Sequence, residues 1–241
     1  MRSLIVTLDG PAGSGKSTVA RQLAQRLGLA FLDTGAMYRG LCAMCLDRGI
    51  DPASQPQAVL ELARRQPMRF DWRSDPPRLH VGDRDVTGRL RDADVTQHVS
   101  EVAAMAPVRR VLVEQQRRIG REHPRLVSEG RDQGSVVFPD AQVKFYIDAS
   151  APVRAQRRAL QLQQAGQHVE AGDILEQIVQ RDHRDATRCD GPLICPHDAD
   201  RIDTTAMSLD EVVDELERRV RQRVGDLVND VPGSSRGRSC R

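Results

Sequence analysis

Apolar residues recur along the chain with two different periods, and the alternation between those periods predicts an α/β architecture. Ser3-Leu4-Ile5-Val6-Thr7-Leu8 is a short apolar, β-branched run of the kind that forms a buried parallel strand. Val19, Ala20, Leu23, Ala24 and Leu27 follow at helical spacing, and Gly28 closes that helix. Leu29 to Leu32 predicts a second strand. Asp33 or Thr34 can cap a helix that starts near Gly35, carries Met37, Tyr38, Leu41, Cys45 and Leu46, and ends at Arg48-Gly49. Another helix is predicted from about Pro56 to Arg65. The period then falls to two in Met68 to Trp72 and in Arg78 to Val81, with Gly82-Asp83 turning into Arg84 to Val86. These short segments predict a small antiparallel sheet, set apart in an inserted subdomain that includes residues 66 to 90.

Residues 95 to 120 read as helix with a break near Pro107. Arg125 to Glu129 and Val143 to Ile147 are further buried strands, and Arg201 to Asp203 is a short last one. Helices are predicted from about Pro152 to Gln164, ended by Gly166, and from about Ile174 to Arg188. Ser208 caps a final helix to about Val224. Residues 229 to 241 have no apolar periodicity and are predicted to be disordered. Strands alternating with helices imply a parallel sheet core flanked by helices on both faces.

Composition narrows the class. Charged residues make up 29% of the 241, but the net charge is only +2, so no strong field draws the chain to nucleic acid or to a membrane. The few aromatics are scattered and offer no base-stacking surface. Asp9 interrupts the first apolar stretch, which argues against a signal peptide or a spanning helix there and makes the cytoplasm the expected location. Cys42 and Cys45 form a C-x₂-C pair that could open a zinc site with Cys189 and Cys195. They stand at i and i+3 on an apolar helix, however, where cysteine more often serves as a small core hydrophobe.

Gly10-Pro11-Ala12-Gly13-Ser14-Gly15-Lys16-Ser17, followed by Thr18, completes the pattern GxxxxGK[ST] between the first strand and the first helix, the context that a phosphate-binding loop requires. Glycines let the backbone amides converge on phosphate oxygens, and the helix adds its positive end. Lys16, expected to be exposed at the loop, supplies an ammonium to the β- and γ-phosphates, and the Ser17 hydroxyl is the candidate ligand of Mg²⁺. Of the 36 basic residues only Lys16 and Lys144 are lysines, so a lysine here points to a need for a compact charge.

A phosphate loop gives a class of protein and not a reaction. The chain has no Asn-Lys-x-Asp motif for guanine, and Ser128-Glu129-Gly130-Arg131-Asp132 is not the paired-acid strand end of motor ATPases. Arg154, Arg157 and Arg158 share one helix face, and Arg181, Arg184 and Arg188 share another, interleaved with Asp182 and Asp185. Two such faces suit a lid over a polyphosphate, or equally a solvated surface in an arginine-rich protein. The chemistry implied is phosphoryl transfer, mostly positioning and charge neutralisation. A phosphate acceptor is already anionic and needs no general base, which agrees with a sequence whose histidines, His183 included, are scattered. Other small acceptors, a slow regulatory hydrolase and a nucleic-acid binder remain alternatives at this level.

Gly10 to Thr18, Leu32-Asp33-Thr34-Gly35-Ala36-Met37-Tyr38-Arg39, Glu129 to Ala141 and Arg181-Asp182-His183-Arg184-Asp185-Ala186-Thr187-Arg188 together resemble bacterial cytidylate kinase, in order, over about residues 3 to 224. The resemblance implies a P-loop nucleoside-monophosphate kinase fold in one domain, residues 1 to 228. Its core would be 1–35, 120–150 and 198–228, its monophosphate-binding insertion about 36–119, and its lid about 151–190. It implies ATP and Mg²⁺ and the acceptors CMP and dCMP; a monomer is expected, and the low net charge argues for one without nucleic-acid or membrane partners. By the same resemblance Thr34, Arg39, Arg131, Arg181 and Arg188 hold the acceptor phosphate and ribose, with Tyr38 in the same segment. Ser100, Arg109 and Asp132 read cytosine, Asp185 faces the sugar hydroxyls, and Arg154, Arg157 and Arg158 fall in the lid. Catalytic work is expected of Lys16, Arg131, Arg154, Arg157, Arg158 and Arg188. The base assignment is chemically sensible, because a carboxylate accepts from the cytosine amine and arginine donates to O2 and N3. A cap or turn aspartate is the plainer reading of Asp132.

Overall fold

The computed structural model describes residues 3–164 and 170–225. The Gly166 helix end, the tail 229–241 and Cys240 lie outside the described residues. Five parallel strands, β1 (Leu4–Asp9), β2 (Ala30–Asp33), β6 (Arg125–Glu129), β7 (Val143–Asp148) and β8 (Asp200–Asp203), form a sheet in the order β2-β6-β1-β7-β8. Alternation along β1 decides which helices cover which face. Leu4, Val6 and Leu8 pack with helices α1 (Lys16–Leu27) and α8 (Leu209–Val224), whereas Ile5 faces the opposite cluster. Burying both faces explains why the strands read as near-continuous apolar runs.

The opposite face carries α2 (Thr34–Leu46), α3 (Pro56–Arg65), α4 (Ala93–Ala104) and α5 (Ala106–Glu122). The predicted small sheet is there too, as antiparallel β3 (Met68–Asp71), β4 (Arg78–Val81) and β5 (Arg84–Asp85). Leu79 and Val81 lie in one apolar cluster with Leu41, Met44, Val59 and Leu112. Cys42 and Cys45 are fully buried in that cluster, and burial pushes both thiols up to about 12. Two further helices, α6 (Ala151–Gln164) and α7 (Ala171–Thr187), meet through their own small cluster of Ala155, Ala159, Ile174 and Ile178.

Capping follows the sequence closely. Asp33 accepts the Ala36 amide at 2.7 Å, and Ser208 with Glu211 makes a reciprocal capping box at α8. The break between α4 and α5 falls at Met105 rather than at Pro107. Proline sits inside the first turn of α5, where no amide is needed. One element is absent from the periodicity, a single π-helical turn at Gln133–Val137 that follows β6.

Candidate active site

The phosphate loop leaves β1 at the carboxyl edge of the sheet, between β6 and β7, where ligands of open parallel sheets bind. Gly13 and Gly15 take φ of 77° and 83°, and a Cβ on Gly10 would stand 2.0 Å from the Ile147 carbonyl oxygen. Lys16 is not exposed as expected. It is 4% accessible, and its ammonium donates to the Pro11 carbonyl at 2.7 Å and to Ser14 Oγ at 3.1 Å. The cause is the wrap of the loop around its own side chain. Burial, and then the like charge of Arg131, lower the Lys16 pKa, against the opposing pull of Glu129 and Asp9.

Three acids that spacing did not single out complete this end of the site. Asp9 accepts the amides of Gln133 at 2.8 Å and Gly134 at 2.7 Å, which anchors the π-helical turn to the loop. Glu129 accepts the Ser17 hydroxyl at 2.6 Å, and burial together with the nearby Asp33 carboxylate raises its pKa. A hydroxyl and two crowded carboxylates are the hard oxygen donors that a divalent cation such as Mg²⁺ takes. Asp182 accepts the Ala12 amide at 3.0 Å and pairs with Arg154 at 2.6 Å. The position of Glu129, at the end of the strand beside the loop, was the available signal; Asp182 gave only its place among arginines.

Cationic side chains gather on the other side. Arg131 pairs with Asp185 at 3.0 Å, and Arg188 reaches the same carboxylate at 3.4 Å. Against the opposing effect of burial, Arg131, Arg181 and Arg188 hold the Asp185 carboxyl below its usual range. Arg181 is open to solvent, yet surrounding protein and the like charge of Arg131 lower its pKa to about 10. Arg39 pairs with Asp33 at 3.1 Å, and the Thr34 hydroxyl donates to the Glu129 carbonyl at 2.8 Å.

Beyond them lies a buried ion pair, Arg109 with Asp132, 3% and 5% exposed. Asp132 precedes the π-helical turn but its side chain caps nothing. The Arg109 guanidinium also stands 5.5 Å from the Tyr38 ring centroid. Around the pair several buried polar atoms have no hydrogen-bond partner among the described residues: Arg109 Nε, Arg188 Nη2 and Gln116 Nε2. The Tyr38 hydroxyl faces Gln116 without closing a bond of normal geometry, and burial pushes it up to about 12. Gly191, at φ +60°, lies so close that a Cβ there would meet Asp132 Oδ2 at 2.3 Å. Ser100 is half-exposed on α4, and no hydrogen bond joins it to this pair among the described residues.

The arginines of α6 diverge despite their shared helical register. Arg154 is buried against the loop and donates to the Ala12 carbonyl at 2.8 Å. Arg157 turns instead to the β8–α8 connection, donating to the Thr204 carbonyl at 2.6 Å. Arg158 donates to Gln161 at 2.7 Å, and burial with the like charges of Arg91 and Arg39 lowers its pKa. Ala12 and Ser14 are buried within the loop, and Thr18 is exposed at the start of α1. No cysteine belongs to a metal-capable cluster among the described residues. None of the described helices is long and apolar enough to cross a membrane.

A cytidylate kinase from Limosilactobacillus fermentum is 43% identical over 91% of this chain and 96% of its own length. One from Streptococcus thermophilus is 39% identical over 92% of this chain and 98% of its own. A bifunctional pantoate ligase/cytidylate kinase from a Synechococcus strain is 44% identical over 96% of this chain. The chain spans about half, 47%, of that relative's length. In fold alone, an uncharacterized protein from Eubacterium ventriosum superposes with a TM-score of 0.51 at 13% identity, over 91% of this chain and 99% of that one. The family model described as cytidylate kinase matches residues 6–222, and the chain belongs to that family.

Proposed function

We propose that the protein transfers the γ-phosphoryl group of ATP to CMP and dCMP, giving ADP with CDP or dCDP. The observation that carries this reading is the buried Arg109–Asp132 pair, ringed by polar atoms whose hydrogen-bonding capacity is unused. Buried donors without partners are unfavourable and rare, so a ring of them argues for a polar ligand. Cytosine offers an amine to Asp132 and acceptors at O2 and N3 to the donors.

In this reading the amides of Gly10 to Thr18 cradle the ATP phosphates, with Lys16 and Arg154 neutralising charge that develops between donor and acceptor. Arg39, Arg131, Arg181, Arg188 and Thr34 orient the acceptor phosphate, and Asp185 takes a sugar hydroxyl. An acceptor oxygen, anionic near neutral pH, attacks the γ-phosphorus in line. The bond from that phosphorus to the β-bridging oxygen breaks, and the electron pair leaves with ADP. No side chain has to remove a proton. Ser17, with Glu129, would hold Mg²⁺, which supplies charge neutralisation at the phosphates.

The separate small cluster of α6 and α7 supports a lid at about 151–190, whereas the cluster of the monophosphate-binding insertion, about 36–119, is continuous with the core through Leu32, Leu126 and Val137. Acting on small molecules, the protein works as a cytoplasmic monomer without nucleic-acid or membrane partners. A coupled assay of ADP release with CMP, dCMP, UMP and AMP tests the reading. CMP and dCMP should be the preferred acceptors. Turnover independent of added monophosphate, or a preference for AMP, would overturn it.

A further inference from the structure

Away from the phosphate loop, the described residues contain one cluster of metal-ligating side chains, Asp51, His98 and Glu101. Their ligand atoms lie within 4.8 Å of one another. Asp51 belongs to the connection between α2 and α3, and its carboxylate is held by the Ala53 amide at 3.0 Å and by the Ser54 hydroxyl. His98 and Glu101 stand at i and i+3 on α4, so they share a face.

Two observations go beyond proximity. First, His98 Nδ1 lies 2.8 Å from the Asp94 carbonyl oxygen, which can only accept. In the neutral ring this carbonyl sets the proton on Nδ1 and leaves the lone pair on Nε2. A backbone carbonyl fixing the tautomer in this way is the usual outer partner of a metal-ligating histidine. Second, Glu101 Oε2 is buried without a hydrogen-bond partner among the described residues. No hydrogen bond or ion pair joins the three side chains to one another among the described residues, so the cluster does not satisfy itself.

We propose that Asp51, His98 and Glu101 bind a first-row divalent cation, with zinc as the representative ion, tying the α2–α3 connection to α4. Two carboxylates balance the double charge, and the imidazole favours a transition ion over magnesium or calcium. Three protein ligands leave a fourth position for water. Ligands about 2.0 Å from a tetrahedral ion stand roughly 3.3 Å apart, so binding draws loop and helix inward. Ser100 lies between the two helix ligands, and an ion there fixes the turn that carries it.

The test titrates the metal-free full chain with Zn²⁺ alone, followed by calorimetry and by thermal unfolding. Co²⁺ absorption then reports which atoms coordinate. One equivalent should bind at this site, and at a hundredfold excess over Kd the Tm should rise by roughly 5–10 °C. Cobalt should give ligand-field bands without a thiolate charge-transfer band. His98→Gln, Glu101→Gln and Asp51→Asn should each weaken binding at least about tenfold while leaving the metal-free Tm close to wild type. A thiolate band would assign the ion to the cysteines and overturn the proposal. So would unchanged affinity in the three variants, or no saturable binding below about 1 mM. Zn²⁺ affinity unchanged in Ser17→Ala separates this site from the phosphate loop, and any one of the three variants that folds decides the matter.

Discussion

The Asp182 carboxylate on α7 accepts the main-chain amide of Ala12, inside the phosphate loop, at 3.0 Å. Its other oxygen pairs with Arg154, whose guanidinium also donates to the Ala12 carbonyl at 2.8 Å. In the proposed function a phosphate oxygen takes the place of this acid on the same two donors, so that nucleotide binding has to displace it. Asp182→Asn should tighten ATP binding about five- to tenfold, the equivalent of one to one and a half kcal/mol of lost competition. Calorimetric Kd values for both proteins check this, and weaker ATP binding by the variant would show that Asp182 helps the nucleotide.

Lys16 is enclosed by its own loop and, among the described residues, hydrogen-bonds only to the Pro11 carbonyl and Ser14 Oγ. Its buried charge adds little to stability, because desolvation already lowers its pKa. Lys16→Ala should therefore keep the Tm within a few degrees and reduce kcat by about two to three orders of magnitude. Lys16→Arg should also be poor, since a longer planar fork does not fit this enclosure. Steady-state kinetics with a melting curve separates the effects; near-wild-type kcat in Lys16→Ala would end the assignment of the loop.

Asp9 carries a pH signature. Burial pushes its carboxyl up to about 6, against the main-chain hydrogen bonds from Gly134 and Gln133. The unfolded chain releases that proton near 3.8, so between these values the folded state holds more protons. Stability contributed by this group is therefore lost as pH rises from about 4 to about 6, by about 3 kcal/mol. Above about pH 6 its effect is constant. Urea unfolding across that range should show wild type losing stability relative to Asp9→Asn, and parallel profiles would contradict the assignment.

Gly191 stands against the Arg109–Asp132 pair. Its φ of +60° is left-handed, and a Cβ would approach Asp132 Oδ2 to 2.3 Å. Gly191→Ala should lower stability by about 1–2 kcal/mol and raise KM for CMP several-fold, with KM for ATP little changed. Equal increases in both constants would show that the segment acts on the whole site and not on the acceptor end.

Elements were legible where the signal is local. α3 matches its expected bounds, Pro56–Arg65, and β6 matches Arg125–Glu129, because periodicity, proline and capping act over a few neighbours. The π-helical turn at Gln133–Val137 was not legible, since its anchor is Asp9, 124 residues away. The shared register of Arg154 and Arg157 was read correctly, but register does not say what faces each side chain. Arg154 meets Ala12, and Arg157 meets Thr204. The pairing of Arg109 with Asp132 and the contact of Asp182 with Ala12 likewise depend on tertiary packing.

In the proposed function the Arg109–Asp132 pair reads the acceptor base. Removing Asp132 altogether would leave Arg109 buried and unpaired, at a cost of about 3–5 kcal/mol, so Asp132→Asn is the sharper variant. The amide keeps the volume and an acceptor for Arg109, but it replaces a carboxylate oxygen with a donor. Uracil carries a carbonyl where cytosine carries its amine, so the change weakens CMP and relieves opposition to UMP. One hydrogen bond to a charged group is worth about 1.5–3 kcal/mol. The measurement is kcat/KM for CMP and for UMP at saturating ATP, in wild type and in Asp132→Asn, with the Tm of each. The CMP to UMP ratio should fall roughly ten- to a hundredfold; an unchanged ratio in a folded variant would mean that Asp132 does not read the base.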